Sequence, residues 1–150
     1  MVSAEQAREI ALFYLLSLLD QKLALQAAHK SIAQLKSIGS ENGSHSQVDI
    51  ARLLRKGFDL HRRMLARNQP TEMSPDAMQF PDGTDFQTWQ KFHRASADGE
   101  ITAVILTKVL GYPEATIAKG FGVSSGTMKY RVAKGVRQLG AILNKTGNFS

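Results

Sequence analysis

The sequence predicts an all-α protein, made of two small helical domains joined by a proline-rich linker. Apolar residues recur at intervals of three and four in several stretches, which is typical of amphipathic helices. No stretch shows the clear apolar–polar alternation of a half-buried strand. Three of the four prolines lie between residues 68 and 86, where the sequence is also acidic. Because proline disfavours helix and removes a backbone donor, we expect a linker there.

These observations divide the chain of 150 residues into three parts. An N-terminal helical domain is expected over residues 1–68. An acidic, proline-rich linker that includes a short helix follows over residues 69–97. The C-terminal domain then covers residues 98–150.

The N-terminal domain is predicted to contain three helices. Ser3 and Gln6 have the spacing of a capping box, which opens the first helix. Apolar residues then keep helical spacing from Ile10 to Leu35, with a break near Asp20. The segment 37–47 is rich in Gly, Ser and Asn and predicts a loop. The helix that follows is apolar on one face and basic on the other, a stripe that we interpret as solvated: Arg52, Arg55, Lys56, Arg62, Arg63 and Arg67.

A short helix is expected from Phe86 to Ala95. Its aromatic residues can pack against either neighbouring domain, and we expect Trp89 to serve as a core anchor. In the C-terminal domain, Asp98 is a plausible N-cap and Gly111 a favoured helix end. Pro113, in the first turn, begins a short helix that ends near Gly120.

The stretch GFGVSSG, residues 120–126, is too widely spaced for a dinucleotide-binding loop and lacks the Gly-Lys-Ser/Thr of a P-loop. The tight turn 122–124 instead joins the short helix to a longer one, which Ser124 caps and which runs from Ser125 to about Leu143. A short helix, a glycine-containing turn and a longer helix form the helix-turn-helix plan.

The two faces of the last helix differ in chemistry. Met128, Val132, Val136 and Leu139 form the apolar sector, and Gly135 lies on the same side, where it permits close packing. The other face is basic and carries no acid, and residues 99–150 as a whole hold seven basic and two acidic residues. A basic face of this kind suits phosphate contacts, with base edges in reach of the residues near the helix start. The candidate DNA-binding residues are Ser125, Thr127, Lys129, Tyr130, Arg131, Lys134 and Arg137.

The segment GYPEATIAKGFGVSSGTMKYRVAKGVRQL resembles the promoter-recognition domain of bacterial RNA polymerase sigma factors, especially the extracytoplasmic-function group. The resemblance rests on Gly111, Ile117-Ala118, Gly122-Val123-Ser124, Gly126-Thr127, Lys129, Arg131 and Leu139. It covers roughly residues 98–143 and implies that Lys129, Arg131 and their neighbours contact the upstream promoter element. The helix-turn-helix of LuxR-type regulators has a similar pattern.

The N-terminal part resembles the other sigma domain more faintly, in LLDQKLALQAAHKSIAQLKS and IARLLRKGFDLHRRMLAR. In the family this domain binds polymerase and melts promoter DNA. This chain departs from the acidic pattern of the family at Gln21, Lys22, Ala24, Gln26, Ala27 and Lys30. The domain is therefore a degenerate version of the family's core-binding domain.

Three functional hypotheses remain open. The first is a sigma-factor-like transcription regulator that binds double-stranded promoter DNA, with RNA polymerase core as a potential partner. The second is a sigma mimic that acts through protein contacts, on an anti-sigma factor or on polymerase. The third is a dimeric regulator of the LuxR type, whose apolar segment Ile10–Leu19 would dimerise.

Other classes find no support in the sequence. We expect a cytoplasmic protein that is not an enzyme and uses neither cofactor nor metal, since no catalytic set or metal-ligand cluster is present. The chain contains no cysteine. Its apolar run Ile10–Leu19 is too short to span a bilayer. The histidines are expected to be surface or linker residues: His29, His45, His61 and His93.

Overall fold

The computed structural model describes residues 2–38, 45–67, 80–81 and 84–145 and contains, within them, α-helices and no strand. The predicted all-α class is thus confirmed. The helices are α1 (Ala4–Leu18), α2 (Gln21–Ile38), α3 (Gln47–Arg67), α4 (Phe86–Ala95), α5 (Asp98–Val104), α6 (Glu114–Phe121) and α7 (Ser125–Lys145). A π-helical turn, Ile105–Val109, continues α5.

Local capping fixes the first two helices as the sequence predicts. Oγ of Ser3 accepts a hydrogen bond from the backbone N–H of Gln6 at 3.0 Å, and the Gln6 side chain accepts from Ser3 N–H at 3.4 Å. The break comes at Leu19, which adopts a left-handed conformation with φ of 54°. Oδ1 of Asp20 then accepts from the N–H of Leu23 at 3.0 Å and caps α2.

The apolar segment Ile10–Leu19 lies in the interior of the protein. Most of its side chains are buried in the hydrophobic core, among them Phe13 and Leu16. Helices α2 and α3 both pack against α1 and supply much of this burial. The segment that motivated a dimerising regulator is therefore already covered within one chain.

Helix α4 has the predicted bounds and forms hydrogen bonds with both α1 and α7. Trp89 is fully buried, which confirms it as a core anchor, and its ring meets Phe92 edge-on at 5.5 Å. Nε2 of His93 donates to the carbonyl oxygen of Leu16 in α1 at 2.8 Å. At the other side, Nε2 of Gln138 in α7 donates to the carbonyl of the last α4 residue at 3.0 Å.

Helices α3 and α6 bring the N-terminal and C-terminal parts into direct contact. A β-carbon placed on Gly120 would lie 2.9 Å from the β-carbon of Ala51 and 2.9 Å from the carbonyl oxygen of Val48, so only glycine permits this approach. Beside it, Arg55 donates to the carbonyl of Phe121 and lies 5.4 Å from the centre of its ring. The division into two domains stays a prediction, and residues 69–79 and 82–83 of the expected linker lie outside the described residues.

The start of α5 corrects one assignment. Ala97, not Asp98, is the N-cap, and Oε1 of Glu100 accepts from the Ala97 N–H at 3.0 Å. The carboxylate of Asp98 instead lies 3.5 Å from Nε of Arg62 in α3. Similarly, α6 begins one residue after Pro113, which occupies the N-cap position.

The histidines are also less exposed than expected, His29 excepted. His45 and His61 are buried, and burial lowers the pKa of His93 to about 4. For His61 and His93 the expectation of a surface or linker position was wrong because one ring nitrogen of each meets a backbone carbonyl, which lets the ring enter the interior.

Across the described helices, none has both the length and the apolar character needed to cross a bilayer.

Candidate nucleic-acid interface

The connection between α6 and α7 is a tight turn held by backbone hydrogen bonds. Gly122 has a φ of 70°, a conformation that glycine adopts without strain. The N–H of Val123 donates to the carbonyl of Ala118 at 3.0 Å, and the N–H of Gly122 donates to Lys119 at 3.3 Å. This pattern is the Schellman motif, which ends α6 and turns the chain sharply.

Ser124 then starts α7 as the sequence predicts. Its Oγ accepts from the N–H of Thr127 at 3.1 Å, which satisfies one of the free donors at the helix start. The same oxygen donates to Oγ1 of Thr127 at 2.9 Å. The turn and the cap together fix the direction in which α7 leaves α6.

The buried face of α7 rests on α5 and α6. Met128 and Val132 are buried, and Leu139 packs against the core. A β-carbon on Gly135 would overlap Cγ2 of Val104 and lie 3.1 Å from the carbonyl oxygen of Glu100. The predicted role of this glycine in close packing is thereby confirmed.

Val136 departs from its predicted position in the apolar sector. Its side chain is 40% exposed. The buried face of α7 is centred on Met128, Val132, Gly135 and Leu139, and at about 100° per residue Val136 falls to the edge of that face.

Five of the predicted DNA-binding side chains are exposed along α7. Tyr130, the largest of them, is 60% exposed. They place exposed hydroxyl, ammonium and guanidinium groups along α7, and none of these side chains is acidic. The five are Ser125, Thr127, Lys129, Tyr130 and Arg137.

Arg131 and Lys134, the other two candidates, are half-buried and engaged within the protein. Nζ of Lys134 lies 3.3 Å from Oε2 of Glu100, whose carboxylate is buried, and 6.0 Å from the centre of the Tyr130 ring. The guanidinium of Arg131 lies against Gly99, where an added β-carbon would be 3.2 Å from its Nε. Both side chains therefore help to hold α7 against α5.

The local sequence does not indicate which residues engage Arg131 and Lys134. Glu100 was not identified from the sequence. Its carboxylate caps α5 and also pairs with Lys134, which lies 34 positions later in the chain. Arg131 lines a shallow cleft together with Asp59 and Asp98, which come from two different parts of the chain. Such groups meet only when the helices pack.

The basic stripe of α3 lies beside this interface, and several of its arginines have acidic neighbours. Nη1 of Arg52 lies 3.2 Å from Oδ1 of Asp49, and Nε of Arg55 lies 3.8 Å from Oδ2 of Asp59. Both pairs are exposed, so each adds little to stability. They reduce the free positive charge that α3 presents.

A solved structure with a similar fold is the co-crystal structure of the sigma factor RpoE in complex with the anti-sigma factor NepR from Bartonella quintana. The TM-score is 0.73 at 18% sequence identity, over 92% of this chain and 91% of that one. No family model matches the chain, and no curated protein matches it either.

The chain therefore has a sigma-factor-like fold. The similarity extends over the N-terminal helices as well as the helix-turn-helix, since it covers nearly the whole of both chains. It supports the resemblance that the C-terminal sequence suggests, at the level of the fold.

Proposed function

We propose that this protein is a sigma-factor-like transcription regulator of the extracytoplasmic-function type, which binds promoter DNA through the exposed face of α7. The observation that carries the proposal is a helix-turn-helix whose second helix presents basic and hydroxyl side chains, and no carboxylate, opposite its buried face. The sigma-factor-like fold supports the same function.

The exposed residues have separate roles in this proposal. Ser125 and Thr127, at the start of α7, and Tyr130, one turn further, reach base edges in the major groove. Lys129 and Arg137 bind phosphates and supply affinity that falls with salt. Arg131 and Lys134 act mainly by positioning α7, because each is already engaged by residues of α5.

The test is the affinity of the full chain for duplex DNA as a function of salt concentration. Replacing Lys129 and Arg137 together by Ala is expected to weaken binding roughly tenfold per lost phosphate contact at 0.1 M salt, and to reduce the salt slope by about 2. The matched control replaces the exposed Lys91 and Lys108, which lie outside α7, and removes the same charge.

Equal losses in both double variants would indicate a general charge effect and would contradict the proposed interface. Promoter specificity is tested with RNA polymerase core on a library of genomic fragments. Promoter-specific transcripts would identify a working sigma factor, whereas DNA binding without polymerase would leave a regulator built on the sigma-like fold.

A second candidate function is that of a sigma mimic, which acts by contacting an anti-sigma factor or polymerase. Helix α2 favours it, because it carries Lys22, Lys30 and Lys36 and no acidic residue, whereas the resemblance implies an acidic helix there. The solved structure with a similar fold contains an anti-sigma factor in complex with the sigma factor. Recovery of neither polymerase nor an anti-sigma factor with the purified chain would argue against this function.

A further inference from the structure

Helices α2 and α3 form the walls of an open groove of about 360 Å³ on the side of α3 that carries Leu60. Its floor is fixed, because Oη of Tyr14 and Oγ of Ser31 share a buried hydrogen bond of 2.7 Å. Gly57 leaves room for the Tyr14 hydroxyl, since a β-carbon there would overlap it. The groove is thus a feature of the packed core and not of a loop.

Apolar side chains that are unusually exposed border this groove. Ile38, at the end of α2, is 64% exposed, and Leu60 on α3 is 40% exposed. Leu53 also lines it, and Met64 continues the Leu60 face one turn further along α3. Exposed apolar side chains next to one another typically mark a surface that a partner covers.

The polar groups of the groove are basic or uncharged. Lys30 and Lys56 stand on opposite walls, one on each helix, and Gln34 and Ser37 line the groove from α2. None of the ion pairs found in the described part of the chain involves either lysine. Within the described residues, the groove therefore offers two lysines without an ion-pair partner beside an apolar surface.

A buried histidine adds a further polar atom. His61 lines the groove and is only 4% exposed. Its Nδ1 donates to the carbonyl of Gly57 at 2.8 Å, which holds the ring in place at the wall of the groove.

We propose that the groove between α2 and α3 binds an acidic amphipathic helix of a protein partner. The apolar face of that helix packs on Ile38, Leu53 and Leu60, and its flanking carboxylates pair with Lys30 and Lys56. A second copy of this chain is disfavoured, because two lysine-bearing rims would face each other. A nucleic-acid backbone would leave the apolar border uncovered.

This site is separate from the exposed face of α7, and its existence does not depend on DNA binding. It gives the basic character of α2 a specific role: the chain would accept an acidic partner through this helix.

The experiment uses the full chain and two dye-labelled synthetic helices of about 18 residues, measured by fluorescence anisotropy. Both peptides carry leucine at helical i, i+3 and i+4 spacing. One has glutamate on the flanking positions and the other has lysine. We expect the glutamate peptide to bind with micromolar affinity, and the lysine peptide at least about tenfold more weakly.

Charge reversal tests the pairing directly. The Lys30→Glu/Lys56→Glu variant should bind the glutamate peptide about tenfold or more weakly and should gain affinity for the lysine peptide. The control variant Lys91→Glu/Lys108→Glu has the same net charge and should retain the original preference. Leu60→Ser should weaken binding of the glutamate peptide without reversing the preference. If charge reversal unfolds the chain by circular dichroism, Lys30→Gln/Lys56→Gln replaces it.

Equal effects of the groove and control variants would overturn the proposal, because the attraction would then be general. Displacement of the peptide by duplex DNA would identify the groove as a nucleic-acid surface. Loss of peptide binding when the protein self-associates at high concentration would identify a second copy of this chain as the occupant of the groove. Either result overturns it. DNA affinity measured on the same variants separates this site from the proposed function, since loss of peptide binding should leave DNA binding intact.

Discussion

The contact between α7 and α5 predicts that two glycines on the same helix respond in opposite ways to alanine. At Gly135, a β-carbon meets Cγ2 of Val104 and the carbonyl oxygen of Glu100, whereas at Gly140 it meets no atom within 4 Å from outside its own stretch of helix among the described residues. Both substitutions gain about 1 kcal/mol of helix propensity. Overpacking costs typically 1–3 kcal/mol, and a backbone oxygen in a helix yields little.

We therefore expect Gly135→Ala to lower the free energy of unfolding by about 1–2 kcal/mol, and Gly140→Ala to raise it by up to about 1 kcal/mol. For a chain of this size a difference of about 2–3 kcal/mol corresponds to roughly 4–12 °C between the two melting temperatures. Thermal unfolding followed by circular dichroism at 222 nm measures it, since both variants keep the same helices.

A rescue experiment identifies the contact responsible. Val104→Ala removes the methyl group that Gly135→Ala would strike, so the double variant should be more stable than the sum of the two single effects. If Gly135→Ala melts as high as Gly140→Ala, then α7 does not approach α5 this closely and the orientation of the proposed DNA-binding face is wrong.

Three further outcomes follow from buried or capping groups. The pKa of His93 is about 4 in the folded protein and near 6.5 in the unfolded chain. The folded state is therefore most stable above pH 6.5, where the ring is neutral in both states, and the free energy of unfolding falls by roughly 3 kcal/mol between pH 6.5 and 4. His93→Phe should flatten the pH dependence of the urea midpoint. Lys134→Met leaves the buried carboxylate of Glu100 unpaired and should cost about 1–2 kcal/mol, while Arg137→Met, on the exposed face, should change stability little. Asp85→Ala removes the cap of α4 and should cost about 1 kcal/mol in urea unfolding.

Much of the local structure follows from the sequence, because helix starts and ends depend on residues a few positions apart. The capping box of Ser3, the break near Asp20 and the cap of Ser124 all lie where the spacing predicts them. The helix-turn-helix follows for the same reason: Gly122 takes the left-handed conformation that ends α6.

The exposed face of α7 was only partly predictable. Helical periodicity separates Met128 and Val132 from Tyr130 and identifies the buried side. It does not show that Lys134 pairs with a carboxylate from α5, because periodicity contains no information on which helix covers each edge of the face.

The sequence by itself determined the helices of this protein, the turn between α6 and α7 and the basic character of its last helix. Only the tertiary structure decided which cations remain free, that α3 lies directly against α6 at Gly120, and that α2 and α3 border a groove. The reason is physical. Caps and turns are fixed by contacts within one or two helical turns, whereas ion pairs between helices and the spaces between them depend on packing of residues far apart in the chain.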